Sequence, residues 1–204
     1  MFRNHVKPFV VACVTALVIA MLALAAFATK AGTTAAEPTI VRQGLTGTVT
    51  GSGHITVNGQ VAQSGARITN GSVITTDADA DALVDLGVLG QITLRPNTSI
   101  KVLLAQDSCQ VMMENCGSFT QVVPQGVSSE VQMDAPKQAQ VISDRGNLWV
   151  SVGDSQNNSR KPLASGKHRT FSQARSIIVD GSNKGETRYT VNCCQCCFVD
   201  KVNP

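Results

Sequence analysis

Hydrophobic and polar positions along this chain change period near residue 30. Before that point lies one unbroken apolar run, Phe9 to Ala28. After it, apolar and polar residues alternate in short segments separated by turn residues, almost to the C-terminus. His54–Asn58 places Ile55 and Val57 on one face. Asp81–Leu86 places Ala82, Val84 and Leu86 on one face and two aspartates on the other. The same alternation recurs in 91–95, 99–103, 110–114, 130–134, 138–142 and 147–152. A period of two over such windows predicts strands buried on one face. Asn58-Gly59, Asn70-Gly71, Leu86-Gly87, Pro96-Asn97, Arg145-Gly146 and Gly153-Asp154 supply turn chemistry between them. No helical period survives beyond residue 30, and Pro136 interrupts the one stretch, 128–140, that imitates it. The expected fold is all-β: stacked short strands forming a β-solenoid-like roll or a sandwich, preceded by one N-terminal hydrophobic helix.

The first residues carry Arg3 and Lys7 and no acid, and Ala26-Phe27-Ala28 fits a small-x-small cleavage site. This is the layout of a secretory signal peptide. The apolar run is also close to the ~20 residues that span a bilayer. Residues 1–28 therefore read either as a cleaved leader or as a retained anchor, with membrane contact through 9–28 if uncleaved. Both put the remainder outside the cytoplasm: periplasmic, anchored in the inner membrane facing out, or secreted. Residues 29–43 are small and polar without period and read as a linker. The β domain is expected over 44–192, and 193–204 forms a Cys-rich tail.

Charge narrows the partners. The formal net charge is +3, and the leader holds two of the cations, so the rest of the chain is close to neutral with scattered charges. Without a basic stripe there is no electrostatic footprint for nucleic acid. Aromatic residues are 4% of the chain, so Val, Ile, Leu and Ala must build the core.

Taken in order, residues 44–104 resemble a FecR-type domain. The likeness is carried by Gly65-Ala-Arg-Ile-Thr-Asn-Gly-Ser-Val-Ile-Thr-Thr76, then Ala80–Leu86, then Gln91–Ile100. Gly117-Ser-Phe119, Val131–Val141 and Gly146–Val152 extend it downstream. Gly65 and Gly71 fall where tight turns call for positive φ. The resemblance implies an extracytoplasmic β module that acts by contact, not by catalysis: a non-catalytic binding, scaffolding or signalling module of a bacterial envelope. Its partner would be a protein or envelope component. The regulators of that family relay a signal from an outer-membrane iron-siderophore receptor to a cytoplasmic sigma factor. This sequence departs from them, because Met1–Lys7 is too short a cytoplasmic segment to hold a sigma factor.

Candidate chemistry lies mainly in sulfur. Of seven cysteines, Cys13 is in the leader, and the others are Cys109, Cys116, Cys193, Cys194, Cys196 and Cys197. An even set in an oxidising compartment favours disulfides. Cys109 and Cys116 flank one strand and a turn and are candidates for a local bridge. Cys193-Cys-Gln-Cys-Cys197 offers soft ligands for zinc or copper(I). Its overlapping Cys-x-x-Cys spacing suits a single ion poorly in an extended strand, and bridges within the tail, from it to the Cys109/Cys116 region, or to another molecule are the alternative. A thiol-dependent metal-binding protein is thus the second functional reading. Asp77, Asp79 and Asp81 alternate and suggest calcium, or else a charged strand edge. His54 and His168 have no nucleophile beside them, so no catalytic constellation and no cofactor is expected. Trp149 is off the core face of its strand, where it either anchors a partner or lies under a second layer or under the C-terminal segment.

Overall fold

The computed structural model describes residues 44–153 and 158–193. They form strands β1 (Thr46–Ser52), β2 (Ile55–Val57), β3 (Gln60–Val61), β4 (Ala66–Thr69), β5 (Val73–Thr76), β6 (Asp81–Asp85), β7 (Gln91–Leu94), β8 (Thr98–Ala105), β9 (Ser108–Met113), β10 (Ser118–Val123), β11 (Ser128–Arg145), β12 (Leu148–Val152), β13 (Ser159–Leu163), β14 (Lys167–Val179) and β15 (Thr187–Cys193). A 3₁₀ turn at Gly87–Leu89 is the only helical element among the described residues. The expected N-terminal helix lies outside them. None of the described helices is long and apolar enough to cross a membrane.

All fifteen strands belong to one sheet that forks at β11. This strand bends where its register with β14 shifts, between Gln132 and Lys137, around Pro136. Proline donates no backbone hydrogen bond, so a bulge is where a strand tolerates it. Two expected strands, 130–134 and 138–142, are thus one bent strand. β14 follows one edge of β11 through the bend. On the other edge, β9 pairs with the first half, Ser128–Met133. β15 pairs with the second half, Ala139–Arg145. From β9 one branch runs β8-β5-β2-β3, and from β15 the other runs β10-β7-β6-β1-β4. β12 lies beside β14, and β13 beside β12.

The two branches meet again at their far ends. β1 and β2 belong to different branches yet only Gly53 and His54 separate them. The sheet must therefore curl into a half-barrel, with Val49, Ile68, Val84 and Ile92 of one branch and Ile55, Ile74, Ile100 and Val111 of the other buried in one core. Thr98 stitches the branches from within: its Oγ1 donates to the Ser118 carbonyl at 3.1 Å and accepts from the Ser118 N–H at 3.0 Å. Every ladder among the described residues is antiparallel except β9–β11. A solenoid stacks parallel rungs, so that part of the expectation is corrected while the all-β class holds.

Gly65 and Gly71 both have φ of +85°, as the turn reading requires. Gly53 is under a heavier constraint. Its φ is +78°, and a Cβ there would stand 2.6 Å from the Asp79 carbonyl oxygen and 2.7 Å from the Ala80 Cα. At Gly65 a Cβ would meet nothing within 4 Å. Gly65→Ala is expected to cost about 1 kcal/mol, through backbone strain alone. Gly53→Ala is expected to cost about 2–4 kcal/mol, because neighbouring backbone must also move. Urea unfolding midpoints of the two variants, measured side by side, check the difference.

Candidate functional site: an open cleft beside Trp149

Alternation along each strand, combined with the register between strands, builds one transverse row on the face turned away from the core. Leu103 of β8 stands opposite Gln110 of β9. Gln110 is level with Glu130 of β11. Glu130 faces Ile178 of β14, and Ile178 faces Trp149 of β12, which faces Pro162 of β13. Their neighbours along the strands, among them Val102, Val111, Val131, Ile177 and Val150, are buried. All of the row but Pro162 lines an open cleft of about 730 Å³. Arg160 of β13 and Asp180, just past β14, also reach it, and Asn70 closes a rim. The Asn70 Oδ1 accepts the Leu104 N–H at 2.8 Å, which fixes the β4–β5 turn against β8.

Trp149 is 44% exposed. Among the described residues no second layer covers its outer face. Its backbone is locked between β13 and β14, with Leu148 and Val150 anchoring the strand in the core. The cleft carries both signs of charge: Glu130 and Asp180 against Arg160. The Asp180 carboxyl is held below its usual range by the Ser182 backbone N–H, which donates to it at 3.0 Å.

Beneath the row lies a buried polar cluster. Tyr189 Oη donates to Gln121 Oε1 at 2.6 Å, and Ser129 Oγ donates to the same oxygen at 3.1 Å. Gln121 Nε2 is the one buried side-chain N or O atom without a partner among the described residues. The Cys109 thiol interacts with this carboxamide and is pushed up to about 12, chiefly by burial. The Tyr189 hydroxyl is likewise raised by burial.

The structure does not bring Cys109 and Cys116 together. Cys109 is level with Ser129 on the first half of β11, whereas Cys116 lies beyond the far end of β9, with its sulfur 3.3 Å from that of Cys193. Cys193 in turn pairs with Ala139 on the second half of β11. The expected local bridge is therefore replaced by a long-range approach. Cys194, Cys196 and Cys197 lie outside the described residues. Among the described residues no group of three or more His, Cys, Asp or Glu side chains could hold a metal ion. The three aspartates do not act together either, because 77–80 is a turn and not part of β6. Asp77 Oδ2 is bound to His54 Nδ1 at 2.6 Å, and Asp81 lies 3.7 Å from Arg95. His168 is exposed on β14, opposite Ile142. Glu130, Gln110 and Arg160 were not visible as site residues from the sequence. Only cross-strand register aligns them with Trp149, and register is not written in any one segment.

No family model matches the chain, and no curated protein matches it. Among solved structures, hydroxypropylphosphonic acid epoxidase from S. wedmorenis overlaps at 8% identity and a TM-score of 0.30, covering 48% of this chain and 51% of that one. A protein of unknown function from Acinetobacter overlaps at 10% identity and 0.28, covering 50% and 93%. A cupin domain from Bordetella pertussis overlaps at 13% identity and 0.27, covering 49% and 96%. The chain thus spans about half the length of the epoxidase, and overlaps this partial carry no argument about activity. One of these is named a cupin domain and none a FecR-type module, and every ladder among the described residues but β9–β11 is antiparallel. The expectation of a FecR-like scaffolding or signalling module is corrected accordingly. Of the four cysteines of the thiol-metal alternative only Cys193 is described; it lies against Cys116 and belongs to no group of three or more metal-ligating side chains among the described residues.

The buried Cys109 thiol and Tyr189 hydroxyl make stability sensitive to alkali. Between pH 9 and 12 the Cys109 thiol ionises in the unfolded chain but not in the folded one. The unfolded state then binds fewer protons, so stability is complete below about pH 9 and falls as pH rises toward 12. Tyr189 adds to the fall in the upper part of that window. Urea midpoints measured from pH 8 to 11 should decline, and Cys109→Ala should flatten the decline even though it also lowers the plateau.

Proposed function

We propose that the outer-face cleft binds a small saccharide, with Trp149 as the stacking platform. The observation that carries this reading is a half-exposed indole fixed in the same transverse row as Gln110 and Glu130, with Ile178 between them. A sugar ring presents an apolar face of C–H groups, which covers an aromatic surface, and an equatorial rim of hydroxyls that need both donors and acceptors. Gln110 supplies both, Glu130 and Asp180 accept, and Arg160 donates. Opposed charges in one cleft suit a neutral ligand better than a strongly ionic one. A volume of about 730 Å³ is within the range of ligand clefts. Strand-borne anchors cost little ordering entropy on binding. Export by residues 1–28 belongs to this reading and would place the cleft outside the cytoplasm.

The chain has a single tryptophan, so its fluorescence reports on this cleft alone. Titration with a panel of neutral oligosaccharides is expected to give a saturable change in intensity with a blue shift of the emission. Calorimetry of Trp149→Ala should show at least a tenfold weaker affinity for the same sugar, with circular dichroism unchanged. A panel that leaves emission unaltered at millimolar sugar removes the reading.

A further inference from the structure

A second site lies away from the cleft, at the bend of β11. Cys116, in the turn between β9 and β10, and Cys193, the last residue of β15, are separated by 77 positions in sequence and by 3.3 Å between sulfurs. A disulfide is ~2.05 Å long, so little more than an ångström of approach remains. The backbones around them are already tied: the Cys193 N–H donates to the Gly117 carbonyl at 2.8 Å, and Ser118 is in register with Asn192. Access is one-sided. Cys193 is buried, whereas Cys116 is partly exposed in an open hollow of about 460 Å³ shared with Glu114, Pro136 and Lys137. Lys137, held by Asp134 at 2.7 Å, lines the same hollow as Cys116, and its charge acts electrostatically on both thiols.

We propose that Cys116 and Cys193 are a redox site that forms a disulfide, clasping the end of β15 to the β9–β10 turn. The leader predicts export to an oxidising compartment, where such bonds persist. The oxidant is a low-molecular-weight disulfide of the glutathione class. The exposed Cys116 thiolate attacks one of its sulfurs and expels one thiolate, giving a mixed disulfide. Cys193 then loses its proton, attacks the Cys116 sulfur and expels the second thiolate. Two protein thiols are oxidised, one small disulfide is reduced to two thiols, and the two protons released end on those thiols. Burial first, and the neighbouring Cys116 next, push the Cys193 thiol up to about 12. It is therefore the slow partner, and it is protected from external reagents until the mixed disulfide brings the reaction to it.

The test uses the full chain in a buffer of oxidised and reduced glutathione. Free thiols are alkylated, and the protein is cleaved after Glu114 to separate Cys109 from Cys116 without reduction. To isolate Cys193, the mapping is done on the chain with Cys194→Ser, Cys196→Ser and Cys197→Ser as well as on the natural one. A cross-linked peptide pair containing Cys116 and Cys193 is expected in both. Reduction should lower the thermal midpoint by about 10 °C, given the length of loop closed. Cys116→Ser should abolish that shift, and Cys109→Ser should leave it intact. Recovery of Cys116 alkylated, or joined to Cys109, or joined in the natural chain to Cys194, Cys196 or Cys197 instead of Cys193, overturns the proposal. So does a reduction-induced shift that persists in Cys116→Ser.

Discussion

A β-strand has two hydrogen-bonding edges, and β11 has to serve three neighbours. It does so by bending. The bulge around Pro136 divides its length, so one edge carries β9 before the bend and β15 after it, while β14 follows the other edge throughout. The fork that results is what turns a single sheet into two facing branches. Without it the apolar faces of β8 and β10 would have no partner to bury against, and about 25 cal/mol per Å2 of apolar surface would be left in water. The polar stitch at Thr98 and Ser118 and the reversal at Gly53 then hold a curl that the bend has already imposed.

The two places with chemical potential inherit their positions from the same fork. The cleft belongs to the first half of β11, where β9 and β14 flank it and Glu130 lies midway between Gln110 and Ile178. The thiol pair belongs to the second half, where β15 ends beside the β9–β10 turn. Between them runs the buried cluster of Gln121, Ser129 and Tyr189, which ties β10, β11 and β15 together with hydrogen bonds inside an otherwise apolar interior. Such a network is costly unless nearly complete, which makes it specific to one register of these strands.

Much of the strand content was legible because one buried face imposes a period of two. Asp81–Leu86, Gln91–Arg95 and Ser99–Leu103 alternate cleanly and became β6, β7 and most of β8. β15 alternates just as cleanly, with Thr187, Tyr189, Val191 and Cys193 inward, and could have been found by the same test. β14 could not. Its first four residues are exposed on both faces and its pattern slips where it passes the bulge, so periodicity is lost. Pro136 was rightly read as excluding a helix, but a bend and a break look alike in sequence. The outward setting of Trp149 followed from alternation, whereas its companions did not, because Glu130 and Arg160 lie on strands whose alignment with β12 depends on a tertiary register. Cys116 and Cys193 were hidden for a related reason: their approach depends on where two long-range ladders end.

The placement of β15 has a consequence for how the chain acquires its shape. It is the last strand in sequence among the described residues, yet it lies in the interior of the sheet, between β10 and the bent spine. Ser118 must wait for Asn192 before its strand gains a second neighbour. A partially synthesised molecule therefore carries an open seam along β10 until β15 is made. A polypeptide whose last described strand closes its middle stays unlatched until that strand arrives.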